Sequence, residues 1–586
     1  MRKRPLLAIV LLIACALSAC GTPAVEPDPD PGSDKPEVYG TLYNYVGTVS
    51  TLNPFESSET AGTTIIEACT IGLYEYFPNK TGDGFVFEGQ LAIGDPVAKN
   101  DEGTLWEIKI HDNAKWENGD PITVDDVIYS LKQVMDPLLL TRRASQVASE
   151  YITIKGAVDY CQQGNSNSVP WETVGLKKID DYTLQVETES FATVNDVKTQ
   201  FSTKYTHLVH EPTWEACFSA DRTSNTYGTI TGGWMSCGPF ILTDWTEGSQ
   251  FVFERNPDYI RADDISLEKM VFYVITDSNT ALEMFLAGNI DTVSLGAAAI
   301  EQYEDDPRLH PSRPESVTSI CVNIGNTKNN NALGNKNFRK ALFYATDREA
   351  IAKLVKGVPA TWIVASAIIS SVDTGVFFRD LPEAQAYLPP NNGYDPDLAR
   401  QYFQTALDEL GIDKAEVTMI YSESSSTTKA VSEFLHKTWP EVLGPQFEFK
   451  IEGVASSLAS SLRKSWTAEN PNTYELAWGG WSVSLTDVAN GFKVYTGWFN
   501  NKNEPHYNDW YDDLWEKANQ SERGKTDNDY RLDLCFEMEE YLIDEALTIP
   551  IYETPGRRLI NDRIKLPLDD YKPAFGWGWM YAKVVD

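Results

Sequence analysis

The sequence predicts an α/β protein built as two large lobes between which the chain crosses more than once. Three observations carry that expectation. Segments with strand periodicity alternate with capped helices along the body of the chain. No second Pro- or Gly-rich linker divides that body into separate beads. The 586 residues are too many for one core, while 42% hydrophobic and 12% aromatic content supply enough apolar surface for several.

Taken in order, residues 37–44 read as an opening strand, and residues 105–110 alternate Leu105, Glu107 and Lys109 with Trp106, Ile108 and Ile110, the period of a half-buried strand. Asn118-Gly119-Asp120-Pro121 is turn chemistry. Thr123 then caps a helix whose apolar positions Val124, Val127, Ile128, Leu131 and Met135 share a face. Asp125 and Asp126 sit in its first turn, where the dipole favours them. Asn337, Phe338, Leu342 and Ala345 mark a further helix, followed by one running from the Asp347 cap to Gly357. Asp395-Pro396 opens a helix carrying Leu398, Ala399, Tyr402, Phe403, Ala406, Leu407 and Leu410, and Gly411 ends it. Residues 450–454 and 474–478 read as short strands.

Charge excludes one class of partner. With 49 bases against 85 acids the net charge is −36, so nucleic acid, which needs clustered Lys and Arg, is not expected. The N-terminus points to export. Arg2, Lys3 and Arg4 precede an apolar run over residues 6–17, too short to span a bilayer but suited to a signal-peptide core. The run ends in Leu17-Ser18-Ala19-Cys20-Gly21, which resembles a bacterial lipobox. Residues 1–19 are therefore expected to be cleaved and Cys20 to carry the lipid. Residues 20–37 follow as a disordered tether in which Pro23, Pro27, Pro29, Pro31 and Pro36 alternate with acids. An anionic body is repelled by anionic lipid, so the acyl chain and not the protein surface must hold it to the membrane. Six cysteines remain in the body: Cys69, Cys161, Cys217, Cys237, Cys321 and Cys535. Export permits disulfides, and Cys217 with Cys237 is the closest plausible pair.

Catalytic and metal signatures are sparse. There is no P-loop, dinucleotide fingerprint, HExxH or GxSxG, and Gly480-Trp-Ser482-Val-Ser484 misses the last at its final position. His207-Leu-Val-His210-Glu211 offers two imidazoles and a carboxylate, but Pro212 argues against the helix that would align them. Residues 79–90 resemble half an EF-hand, with Gln90 where the bidentate Glu belongs. No enzyme activity, cofactor or metal is expected.

What the sequence does carry is a long recognition pattern. Residues 106–130 run Trp106-Glu-Ile-Lys-Ile-His-Asp-Asn-Ala-Lys-Trp116-Glu-Asn-Gly119-Asp-Pro121-Ile-Thr123-Val-Asp-Asp126-Val127-Ile-Tyr-Ser130. Leu52-Asn-Pro-Phe55 and Gly72-Leu-Tyr-Glu75 precede them. Ile179-Asp-Asp-Tyr-Thr183, Cys237-Gly-Pro-Phe240, Arg255-Asn-Pro-Asp-Tyr259 and Ala287-Gly-Asn-Ile-Asp291 follow. Then come Phe338-Arg-Lys-Ala-Leu342, Ala345-Thr-Asp-Arg348, Tyr394-Asp-Pro396, Gly480-Trp481 and Ile549-Pro-Ile-Tyr552. In this order they closely resemble the extracellular solute-binding proteins of family 5, the peptide receptors of ABC importers.

The resemblance implies a two-lobed periplasmic-binding-protein-like fold, class II of the large cluster-C type, with a third inserted subdomain. One lobe is expected from residues 38–70, 180–277 and 553–586, with the insertion at 71–179 and the second lobe at 278–552. It implies a monomeric, lipid-anchored receptor on the extracytoplasmic face that passes an oligopeptide to permease subunits served by a separate ATPase. An oligosaccharide ligand, or service as an adhesin, is the alternative. Trp106 and Trp116 are expected to fill a core, and Gly238-Pro239 to form a corner between lobes. In the oligopeptide receptors Gly-Trp is followed two residues on by an Asp that pairs with the peptide's α-ammonium. Here that position is Ser484, whose hydroxyl lacks the charge complement. Asp487 is the candidate replacement. Trp478, Trp481 and Ser482 in the same stretch, with Tyr45 and Asn53 near the N-terminus, complete the candidate ligand-binding set.

The anchor reading is directly testable. Cys20→Ala should release the protein into the soluble fraction on membrane fractionation; a variant that still sediments with membranes overturns it.

Overall fold

The computed structural model describes residues 40–57, 59–79, 85–166, 168–371, 376–464, 467, 469–480, 487–496, 508–567 and 578–585. Cys20 and the tether lie outside the described residues. Two bodies emerge, since no strand of residues 41–312 or 556–584 pairs with one of residues 317–553 among the described residues.

In the first body, the strand Thr41–Val46 runs parallel to Lys269–Val274, which continues antiparallel through Gln250–Arg255 to Phe240–Thr246. Leu42, Asn44 and Val46 alternate inward. The one polar member, Asn44, is satisfied by Thr292, whose hydroxyl donates to Asn44 Oδ1 at 2.8 Å. A second sheet orders Val97–Ala98, Leu105–Lys109, Thr183–Glu187 and Leu176–Asp180, beside a ribbon of Tyr74–Pro78 and Phe85–Gly89. These sheets share one buried apolar cluster that extends from Leu42 to Val584, so the inserted region has no separate core.

One carboxylate ties together three positions of the 106–130 pattern, Trp116, Thr123 and Asp126. Thr123 caps the helix Val124–Val134, and Asp126 closes the capping box by accepting from the Thr123 backbone N–H at 2.8 Å. Asp126 also accepts from Trp116 Nε1 at 3.1 Å. Trp116 and Trp106 are both buried, as expected of core residues. Gly238 is required for a different reason: a Cβ there would meet the carbonyl carbon of Cys69 at 2.6 Å. The Gly238-Pro239 step therefore packs against the end of the helix Thr60–Cys69 inside the first body, which corrects the expected corner between lobes.

The second body carries a mixed six-stranded sheet in the order Val358–Pro359, Thr548–Glu553, Val317–Val322, Leu476–Gly480, Ala415–Ser422, Phe447–Val454. Helices Lys336–Tyr344, Pro396–Leu410 and Ser426–Leu443 bury against it. The expected start and stop signals are realised in Pro396–Leu410, capped by Asp395 and ended by Gly411 at φ +65°. A second cluster gathers Asp509–Asn519 and Asn528–Asp544 around Val317.

The boundaries differ from expectation at two places. The hairpin of Leu176–Asp180 and Thr183–Glu187 spans the limit placed at 179/180. Residues 278–312 belong with the first body: Thr292–Ser294 and Leu309–Ser312 both pair with Gly556–Ile560, and Phe285 and Val293 pack with Tyr45 and Tyr273. The chain thus crosses at residues 313–316 and 554–555, and each crossing contains a proline, Pro314 and Pro555. The expected disulfide is also corrected. Cys217 and Cys237 are buried free thiols, and the Cys217 sulfur accepts from the Gly233 N–H at 3.1 Å.

One buried ion pair ties residues 360–390 to the helix Asn528–Asp544. Arg379 Nη2 lies 2.6 Å from Glu539 Oε1, both nearly inaccessible. The same carboxylate accepts from Ile363 N and Val364 N at 2.8 Å each and from the Tyr387 hydroxyl. Glu539→Gln should cost about 3–5 kcal/mol in urea denaturation, because it strands a buried guanidinium. Arg379→Met combined with Glu539→Leu should recover much of that loss; equal losses in both would show that packing, not charge, is at stake.

Candidate functional site

A cavity of about 230 Å³ opens between the inserted region of the first body and the helical end of the second. Glu150, Tyr151, Phe191 and Asp196 line the first side, and Asp487, Lys493, Trp515, Lys525 and Arg531 the other. Three acids therefore meet three bases.

Each charged group is set by local structure. Glu150 follows the helix Ala144–Ser149 and accepts from the Tyr205 hydroxyl, whose pKa is held well up by burial and by that carboxylate. Asp196 is the third residue of Val194–Gln200 and closes a capping box, accepting from Thr193 N at 2.8 Å. Asp487 starts the turn Ala489–Tyr495, accepting from Ala489 N at 3.1 Å and Asn490 N at 3.3 Å. It is also ion-paired with Arg531. Burial is the largest influence on Arg531 and opposes its charge, but Asp487, Cys535 and Asp196 together outweigh it and hold the guanidinium above its ordinary pKa. Burial lowers the Lys493 pKa, against the pull of Glu150 and Asp487.

Lys525 sits on the short helix Glu522–Thr526. A Cβ at neighbouring Gly524 would come within 2.1 Å of the Lys517 carbonyl oxygen, so only glycine permits this helix to pack so closely on Asp509–Asn519. Lys525 Nζ reaches the other side, 3.3 Å from Asp196 Oδ2 and 3.1 Å from the Phe191 carbonyl oxygen.

Of the residues proposed from sequence, Asp487 lines this cavity; Trp481, Ser482 and Ser484 lie outside the described residues. The other three have packing roles and do not line it. Trp478 Nε1 donates to Ser432 Oγ at 2.9 Å and the ring packs on the second body's core. The Tyr45 hydroxyl accepts from Ser294 N at 3.1 Å. Asn53 Oδ1 accepts from Phe55 N at 3.0 Å in a buried turn. The two histidines go separate ways. His207 Nδ1 lies 2.8 Å from Thr70 Oγ1, and burial with nearby Lys204 pushes its pKa down to about 3. His210 Nδ1 lies 2.8 Å from Thr213 Oγ1. Glu150, Asp196, Lys493, Lys525 and Arg531 escaped the sequence reading. Asp196 alone left a signal, the Thr193-Val-Asn-Asp196 cap, and that signal marks a helix start, not a site.

Asp487→Asn should lower stability by about 2–3 kcal/mol, since it leaves Arg531 without its counter-charge. A carboxylate serving a ligand's ammonium alone would leave the free protein's Tm unchanged, and that result would reject the structural role.

Comparison with known proteins places this architecture. The model of bacterial extracellular solute-binding proteins, family 5 (middle), matches residues 88–503. Oligopeptide-binding protein OppA of Bacillus subtilis is 25% identical over 566 residues, covering 94% of each chain. Dipeptide-binding protein DppE of the same species is 25% identical over 482 residues, 82% of this chain and 81% of its own. Among solved structures, peptide-bound OppA of Listeria monocytogenes superposes with a TM-score of 0.69 at 20% identity, over 93% of this chain and 99% of that one.

Proposed function

The chain belongs to the bacterial extracellular solute-binding proteins of family 5, and from that premise we propose that it is the peptide-capturing receptor of an ABC importer. The observation that carries this reading is the cavity between the two bodies, walled by three acids and three bases drawn from both. A peptide with free termini brings both signs of charge and a row of main-chain donors and acceptors, so it matches such a wall without importing net charge. The relatives named for oligopeptide and dipeptide binding point the same way. An oligosaccharide has less support, because these relatives are named for peptides and not for sugars.

The mechanism is capture without chemistry. The two crossings at residues 313–316 and 554–555 are short, so the bodies can swing as units about them. A ligand that touches both walls binds the closed form better and shifts the population toward it. The closed receptor then acts alone, docking on permease subunits whose ATPase is a separate protein. Cys20 carries the lipid that holds it at the extracytoplasmic face, and an acidic body adds no membrane affinity of its own.

Two measurements on the Cys20→Ala chain test this. A mixture of short peptides with free termini should raise Tm, by the equivalent of about 2.7 kcal/mol at a hundredfold excess over Kd. Small-angle scattering should show a smaller radius of gyration with the peptides than without. A response to maltooligosaccharides but not to peptides would replace the ligand class, and an unchanged scattering profile at saturation would remove closure.

A further inference from the structure

We propose that Lys525 is a latch through which the protein itself, and not only its ligand, favours closure. The proposal rests on the hinged-receptor reading, but it concerns the free protein. Lys525 belongs to the second body, and its ammonium contacts two groups of the first: Asp196 Oδ2 at 3.3 Å and the Phe191 carbonyl oxygen at 3.1 Å.

Both ends of this bridge are held rigidly. On one side, Gly524 allows the helix Glu522–Thr526 to lie directly on Asp509–Asn519, where a Cβ would stand 2.1 Å from the Lys517 carbonyl oxygen. On the other, Asp196 is fixed by its capping box with Thr193. Neither backbone therefore has to rearrange for the pair to form, and the Lys525 side chain alone is ordered by it. The Lys525 side chain is 8% exposed and Asp196 23%, so the pair is screened less than a surface ion pair.

Charge gives the latch a purpose. Both bodies carry more acids than bases within a net charge of −36, and their mean interaction is repulsive. The walls of the cleft break that rule locally. Glu150 and Asp196 stand on the first body's side, Lys493 and Lys525 on the second's, while Asp487 and Arg531 neutralise one another. A short-range attraction thus opposes a long-range repulsion, which leaves the open and closed populations close in free energy and sensitive to small contacts.

The test needs no ligand. Spin labels on non-natural residues at exposed positions 165 and 516, one on each body, report the separation by pulsed dipolar spectroscopy in the full chain held in lipid nanodiscs. Lys525→Met should shift the distribution to longer distances, lowering the short-to-long ratio about fivefold, the effect of losing roughly 1 kcal/mol. Lys525→Arg, which keeps the charge, should restore most of the short population. Asp196→Asn removes the same pair from the other end and should act like Lys525→Met, which keeps the question answerable if either variant folds poorly. Distributions unchanged in both Lys525→Met and Asp196→Asn would overturn the latch. Failure to bind peptide would leave this result standing, so the two readings fail separately.

Discussion

The first body closes on one buried carboxylate. Asp291 accepts from the Tyr43 backbone N–H at 2.8 Å and pairs with Arg563, Nε to Oδ1 at 2.7 Å. Arg563 in turn donates to the Thr41 carbonyl oxygen at 2.6 Å. Three segments that the chain visits hundreds of residues apart are thereby joined: the first strand, the turn after the helix Ser278–Leu286, and the returning C-terminal segment. The junction reinforces strand pairings that join the same segments, Thr41–Val46 with Lys269–Val274 and Gly556–Ile560 with Thr292–Ser294 and Leu309–Ser312, and both crossings into the second body leave from this region. Gly288, at φ +75°, makes the turn that brings Asp291 to this point. The Ala287-Gly-Asn-Ile-Asp291 pattern is thus a structural requirement.

Much of the fold was legible because its signals are local. The capping residues Thr123, Asp347 and Asp395 each act within three residues of themselves, and the alternation in residues 105–110 needs only the pleat. What escaped was non-local. The strand Thr292–Ser294 is three residues long and its partner lies at Arg558–Ile560, so no periodicity announces it. The same holds for the boundary at 179/180, where the Asp180-Asp181 turn joins a hairpin instead of ending a unit. Trp478 shows the same limit: its place in sequence says nothing of the Ser432 hydroxyl that accepts its indole N–H, or of the core on which its partly buried ring packs.

The candidate site was the least legible part, and the cause is numerical as much as geometric. Among 85 acids and 49 bases no single Lys or Glu stands out. What distinguishes Asp196, Asp487, Lys493, Lys525 and Arg531 is that four separate segments bring them to one cavity. Asp487 was reachable from its place after Gly480, but its partners were not. Bound to Arg531 and to two N–H groups of its own turn, it is a wall-forming group before it can be a ligand clamp.

This division of labour bears on how closure can be both firm and reversible. Charges within the second body, Asp487 with Arg531, keep their partners whether the cleft is open or shut, and therefore shape the wall without biasing the equilibrium. Charges that face one another across it, Lys525 with Asp196, exist as a pair only when the bodies meet. Only the second kind can change the population, since a contact present in both states contributes equally to each. The crossings at Pro314 and Pro555 complete the argument. Proline fixes φ near −65°, so rotation there must fall on neighbouring residues. Residues 313–316 and 554–555 leave few of them, and the hinge becomes a defined axis along which a single ammonium can be decisive.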